Sequence, residues 1–166
     1  MTVNEIINEP RQISGELRLK ILGLYHQANA GHIGCSLSCI DLMIAILFLN
    51  KSEEDTFILS KGHAAAALYA SLNVLGEISD EELSTFYQDG TTLHAHPAPR
   101  QYKGIPFATG SLGHGLPIAT GIAHAAKVSD EESYAFALLS DGETNEGICG
   151  EYQPDDQSSW RLCLAF

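Results

Sequence analysis

Apolar residues recur over residues 4–28 at Ile6, Ile7, Ile13, Leu17, Leu19, Ile21, Leu22 and Leu24, and from about Ser14 their spacing predicts a helix ending near Ala30 and Gly31. A second helix is predicted from about Ser38 to Leu49, with Ser38 as its cap and Asp41 three residues on, as in a capping box. Thr56–Leu59 is a short apolar run that empties into Ser60, Lys61 and Gly62, the pattern of a buried strand followed by a functional loop. An alanine-rich helix starts near His63. Ser79 and Glu82 mark a further helix start, and Asp80, Glu81 and Glu82 suit the positive end of its dipole. Pro97, Pro99, Pro106, Gly90 and Gly104 exclude regular structure from Asp89 to Thr109, and long ordered loops of this kind are often functional. A helix rich in Ala and Gly follows over Gly113–Lys127, then a second buried strand over Tyr134–Leu139 with Ser140, Asp141 and Gly142 at its carboxyl end. Strands separated by helices imply an α/β layered fold, whose ligand sites lie at the carboxyl ends of its parallel strands.

Composition keeps this picture and narrows it. The 166 residues are 45% hydrophobic and 18% charged, the profile of one folded domain. A net charge of -12 argues against nucleic acid or an anionic membrane as partner, while leaving room for a small phosphorylated substrate held by a few local donors and a metal. The N-terminal MTVNEIINEP has neither a basic region nor an apolar core, so no signal peptide is read and the cytoplasm is the expected location. The run Ile40–Leu49 is interrupted by Asp41 and too short to span a bilayer. Cys35 and Cys39 are expected on one helix face and Cys149 and Cys163 far from them, a spacing that reads as free core thiols rather than a zinc site.

Four small motifs put His or Gly at element boundaries: Gly31-His32-Ile33-Gly34, Ser60-Lys61-Gly62-His63, His94-Ala95-His96-Pro97 and Gly110-Ser111-Leu112-Gly113-His114-Gly115. A neutral imidazole passes protons near pH 7 and donates hydrogen bonds to phosphate or hydroxyl groups. A single histidine is more often structural, but three in loops form a plausible set; His94 with His96 matches no specific zinc spacing. Gly110–Gly115 opens a helix, so its amides and the helix dipole can hold an anion such as a diphosphate; a plain packing turn is the competing reading. Asp141 suits Mg²⁺, which combines carboxylate with phosphate oxygens, although Asp-Gly is also a common turn.

In order, the segments AGHIG, ILSKGHAAAALYA, HAHPAP, ATGSLGHG and LLSDGETNEG closely resemble the N-terminal diphosphate-binding module of the transketolases, from about Ser14 to Gly147. That resemblance implies a doubly wound, mostly parallel sheet flanked by helices, incomplete at its C-terminus, with thiamine diphosphate and Mg²⁺ or Ca²⁺ as cofactors. His32 would touch the substrate, His63 the cofactor diphosphate and His96 the sugar or the reacting carbon. Gly110, Ser111, Leu112 and Gly142 would line the cofactor, Asp141 would bind the metal, and Glu146 would join a carboxylate network at a dimer interface. The implied reaction moves a two-carbon ketol unit between sugar phosphates, in the pentose phosphate pathway, with the cofactor as electron sink. The three histidines favour this over the relatives that make deoxyxylulose phosphate or decarboxylate keto acids.

Three departures from the family pattern stand out. Ser140 replaces a glycine where backbone is expected close to phosphate, His114 replaces a glutamine, and residues 148–166 match nothing in the family. The expected division is therefore a partial domain over 1–147 and a divergent tail over 148–166, too short to supply the missing helix and strand, with a shifted reading frame as one explanation. On this reading the chain alone has negligible activity and works as a homodimer or with a chain carrying the pyrimidine-binding module. The alternative is a non-catalytic remnant or interaction protein.

Overall fold

The computed structural model describes residues 10–99, 102–152 and 161–165; Ile6 and Ile7 of the sequence pattern lie outside them. Helix α1, Pro10–Ala28, buries Ile13, Leu17, Ile21, Leu24 and Tyr25, positions three or four apart that fall on one stripe. Leu19 and Leu22, from the same apolar pattern, face outward. Each large aliphatic side chain taken wholly out of water contributes about 1.5–3 kcal/mol, so this stripe fixes α1 against the core.

The predicted helix over Ser38–Leu49 is resolved differently. A first turn, α2, runs Ile33–Ser38; α3 follows at Ile40–Ile44 and continues as a π-helical stretch, Ala45–Asn50. Ser38 does not cap. Its hydroxyl donates to the Cys35 carbonyl at 3.2 Å, while Asp41 is engaged by Ser14 and Arg18 of α1. The left-handed turn at His32, φ 70°, starts the chain coiling six residues earlier than the capping signal suggests. Cys39 is the residue between the two helices, so it and Cys35 do not share one continuous helix face. All four cysteines are free; Cys39 and Cys149 are buried, Cys35 and Cys163 half-buried.

Strand β1, Thr56–Leu59, leads through a 3-10 turn, Gly62–Ala64, into α4, Ala65–Val74. The predicted box at Ser79 is present in full on α5, Asp80–Leu83: Ser79 Oγ accepts from the Glu82 amide and Glu82 Oε2 accepts from the Ser79 amide, both at 3.1 Å. Helix α6, Gly115–Val128, precedes β2, Ala135–Leu138. A 3-10 turn, Gly142–Asn145, is followed by α7, Gly147–Tyr152, and β3, Leu162–Ala165. The tail thus holds a helix and a strand that its sequence pattern did not show. Four residues suffice to pair a strand, and Cys149 and Leu162 are buried at 4% and 5% exposure.

The three strands form a parallel sheet in the order β1-β2-β3, with Thr56 opposite Ala135 and Ala135 opposite Leu162. Alternation sends Phe57, Leu59 and Leu138 into the larger core under α1–α4, and Ile58, Ala135 and Ala137 into the core under α6. Helices therefore cover both faces, as the α/β expectation requires. No helix among the described residues is long and apolar enough to cross a membrane.

Candidate cofactor and substrate site

The carboxyl ends of β1 and β2 carry Ser60 and Ser140, and the segments leaving them carry His63 and Asp141 with Gly142, while His32, His96 and Gly110–Leu112 come from other loops. Gly62 is required there by contact: a Cβ would lie 2.5 Å from the Thr109 carbonyl oxygen, so only glycine lets the Ser-Lys-Gly-His turn lie against the Thr109-Gly110 backbone. Gly115 is packed in the same way against Ser60.

His32 and His63 come together with ring centroids 5.4 Å apart, and both line a pocket of about 160 Å³ with Tyr25, Phe86, Tyr87 and His96. Tyr69, buried on α4, donates to the His94 carbonyl at 3.0 Å and the His96 carbonyl at 3.5 Å, which holds the His-Ala-His loop over the pocket. Burial pushes the Tyr69 phenol well above its ordinary range, keeping it a neutral donor. The His96 ring lies against Gly110, whose φ of 152° and missing side chain give it room. Partial burial, then His32 and Lys61, hold the His63 imidazole below its ordinary value, with Glu143 pulling the other way. His63 is therefore uncharged at neutral pH and free to accept or donate a hydrogen bond.

Among the described residues four non-glycine residues take positive φ. Asn29 and Asp130, types that tolerate this region, close turns after α1 and α6; His32 and Tyr87, at 70° and 63°, both line the pocket. Tyr87 is the costly one, since a bulky aromatic rarely adopts this conformation.

Asp141 and Gly142 stand exposed just past β2, and nothing crowds Gly142. The exposed Asp141 carboxylate is the kind of single hard ligand that Mg²⁺ takes beside phosphate oxygens. Among the described residues no group of three or more His, Cys, Asp or Glu is arranged to hold a metal. The Ser140 backbone is not left-handed; its amide donates to Glu143 Oε2 at 3.1 Å and its hydroxyl accepts from the Glu143 amide at 3.3 Å, so the serine caps the turn. His114 turns its Nδ1 toward the Leu112 carbonyl at 3.2 Å, a local loop contact. The Glu146 side chain is exposed at the rim.

The residue that sequence reasoning missed is Glu143. It is wholly buried, and its carboxylate accepts from Ser60 Oγ, from the Gly113 amide at 2.8 Å and from the Ser140 amide. It lies within Asp-Gly-Glu, where no hydrophobic period marks it as internal.

A parallel α/β sheet with histidines and a glycine loop at its carboxyl rim defines a diphosphate-binding module. Residues 11–154 match the family described as transketolase, thiamine diphosphate binding domain, and the chain belongs to the transketolase family. Its relatives include an apulose-4-phosphate transketolase subunit from Phocaeicola vulgatus, 37% identical over 78% of this chain and 49% of that one. Human transketolase-like protein 2 is 46% identical over 85% of this chain and 24% of that one. Transketolase from Campylobacter jejuni superposes with a TM-score of 0.77 at 30% identity, over 84% of this chain and 24% of that one. The chain spans about half the length of the apulose-4-phosphate transketolase relatives and about a quarter of the longer transketolases. These relatives are transferases.

Proposed function

We propose that the chain supplies the diphosphate-binding part of a ketol-transferring transketolase site, which works with a partner chain carrying the pyrimidine-binding module. The observation that carries this reading is the convergence of His32, His63 and His96 on one pocket beside Gly110, at the carboxyl rim of a parallel sheet. Two relatives are each named as one subunit of an apulose-4-phosphate transketolase, which supports a partner chain.

The donor set fits an anionic diphosphate: loop amides at Gly110, Ser111 and Leu112, the uncharged His63 imidazole, the open approach at Gly142, and Asp141 for Mg²⁺ or Ca²⁺. When bound, thiamine diphosphate supplies a carbon nucleophile and electron sink that the amino acids lack. The chain's own residues bind and orient. His63 donates to the diphosphate, His32 hydrogen-bonds substrate hydroxyls, and His96 holds or moves a proton at the sugar end of the pocket. Substrates on this reading are a ketose phosphate and an aldose phosphate. A cytoplasmic setting and a place in pentose phosphate metabolism belong to the same proposal, as does a dimer-interface role for Glu146.

Titration of the purified chain with thiamine diphosphate in a calorimeter, with and without Mg²⁺, is the test. Magnesium-dependent heat is expected, together with negligible ketol transfer by the chain alone. Silence in both titrations would overturn the proposal in favour of a non-catalytic remnant.

A further inference from the structure

Glu143 is the only fully buried carboxylate among the described residues, and no cation among them lies within ion-pair distance of it. An isolated buried charge of this kind is tolerated only when hydrogen bonds replace its lost hydration. Here they come from three separate places: the end of β1 through Ser60, the end of β2 through Ser140, and the glycine loop through Gly113. Ser60 Oγ accepts in turn from the Gly115 amide at 3.2 Å, so two of the amides at the start of α6 are committed to this internal anion. None of the described hydrogen bonds is donated by the amides of Gly110, Ser111 or Leu112. The loop is divided into an anchored half and an open half. Cys149 adds to the anchored half, its thiol donating to the Glu143 carbonyl at 3.2 Å.

We propose that Glu143 is a positioning residue: its carboxylate clamps the glycine loop to the ends of both strands, withdraws the Gly113 and Gly115 amides from ligand binding, and leaves those of Gly110, Ser111 and Leu112 as the donors for the diphosphate. The assignment rests on the cofactor site proposed above. It also explains the serines at 60 and 140. Each supplies a donor that a glycine's side chain could not supply or a cap that fixes Glu143 in place.

The test uses the ligand-free full chain and the chain titrated with thiamine diphosphate and Mg²⁺, for wild type, Glu143→Ala, Glu143→Gln and Ile58→Val. Ile58→Val is a control that loosens the same core without touching the loop. In ligand-free Glu143→Ala, the Gly113 and Ser140 amides should exchange with solvent at least about tenfold faster, while strand amides keep their protection. Cofactor affinity should fall about tenfold or more in Glu143→Ala and stay unchanged in Ile58→Val. Glu143→Gln keeps an acceptor for Ser60 and Gly113 but turns an NH₂ toward Ser140, so Ser140 alone should lose protection and affinity should fall less. This variant decides the matter if the alanine variant fails to fold. Wild-type exchange rates at Gly113 and Ser140 in Glu143→Ala, a wild-type rate at Ser140 in Glu143→Gln, or wild-type affinity in Glu143→Ala, would overturn the clamp. A wild-type chain that binds no cofactor overturns the proposed site instead, and the exchange rates still decide the clamp.

Discussion

His63 links the pocket to the pH dependence of stability. Burial, His32 and Lys61 lower its proton affinity in the folded chain, whereas the unfolded chain titrates near 6.5. The unfolded state therefore binds more protons just below that pH, so the contribution of His63 to stability is complete above about 6.5 and is lost as pH falls through the folded value. Thermal melts between pH 8 and 5 should show this acid-side loss, and it should flatten in His63→Asn. Gly62→Ala tests the close approach to Thr109: the added methyl cannot be accommodated without moving backbone, and a loss of about 1–3 kcal/mol in urea titrations is expected. Residues such as His32, His63 and His96 were legible in the sequence because loop histidines next to glycine stand out by type. Glu143 was not, because a carboxylate in a polar turn has the same letter whether it faces water or three internal donors.

Among elements, the strands and the capped helix were easiest to anticipate. A short apolar run has few alternatives, and the Ser79-Glu82 box is a local, reciprocal pair that needs no tertiary help. Ser79→Ala should cost about 1 kcal/mol of stability by denaturant unfolding and leave cofactor binding unchanged, since α5 lies outside the histidine pocket. The break between α2 and α3 was illegible for the opposite reason. Asp41 looks like a cap partner along the chain, but α1 brings Ser14 and Arg18 to it from 27 and 23 residues away. The tail strand was missed because its four residues gain their order from pairing with β2, not from any period of their own. Tyr69→Phe removes the strap between α4 and the His94–His96 loop. It should cost about 1 kcal/mol and raise exchange in that loop, measured by hydrogen–deuterium exchange.

For the whole molecule, the parallel sheet brings the ends of β1 and β2, with the segments of His63 and Asp141, to the same side, in a chain of net charge -12. A diphosphate approaching such a chain meets general repulsion and is held by a few local donors, so the magnesium complex should bind better than the free anion. Saturating magnesium thiamine diphosphate should also raise the melting temperature, by the equivalent of about 2.7 kcal/mol at a hundredfold excess over Kd. The left-handed residues point to a tension between robustness and use. Asn29 and Asp130 sit in that conformation cheaply, whereas Tyr87 sits in it against its steric preference at the wall of the pocket. Tyr87→Asn should raise stability by up to about 1 kcal/mol. Selection for heat resistance alone would therefore favour exchanges at this position first, and would remodel the pocket wall before it touched the scaffold that bears it.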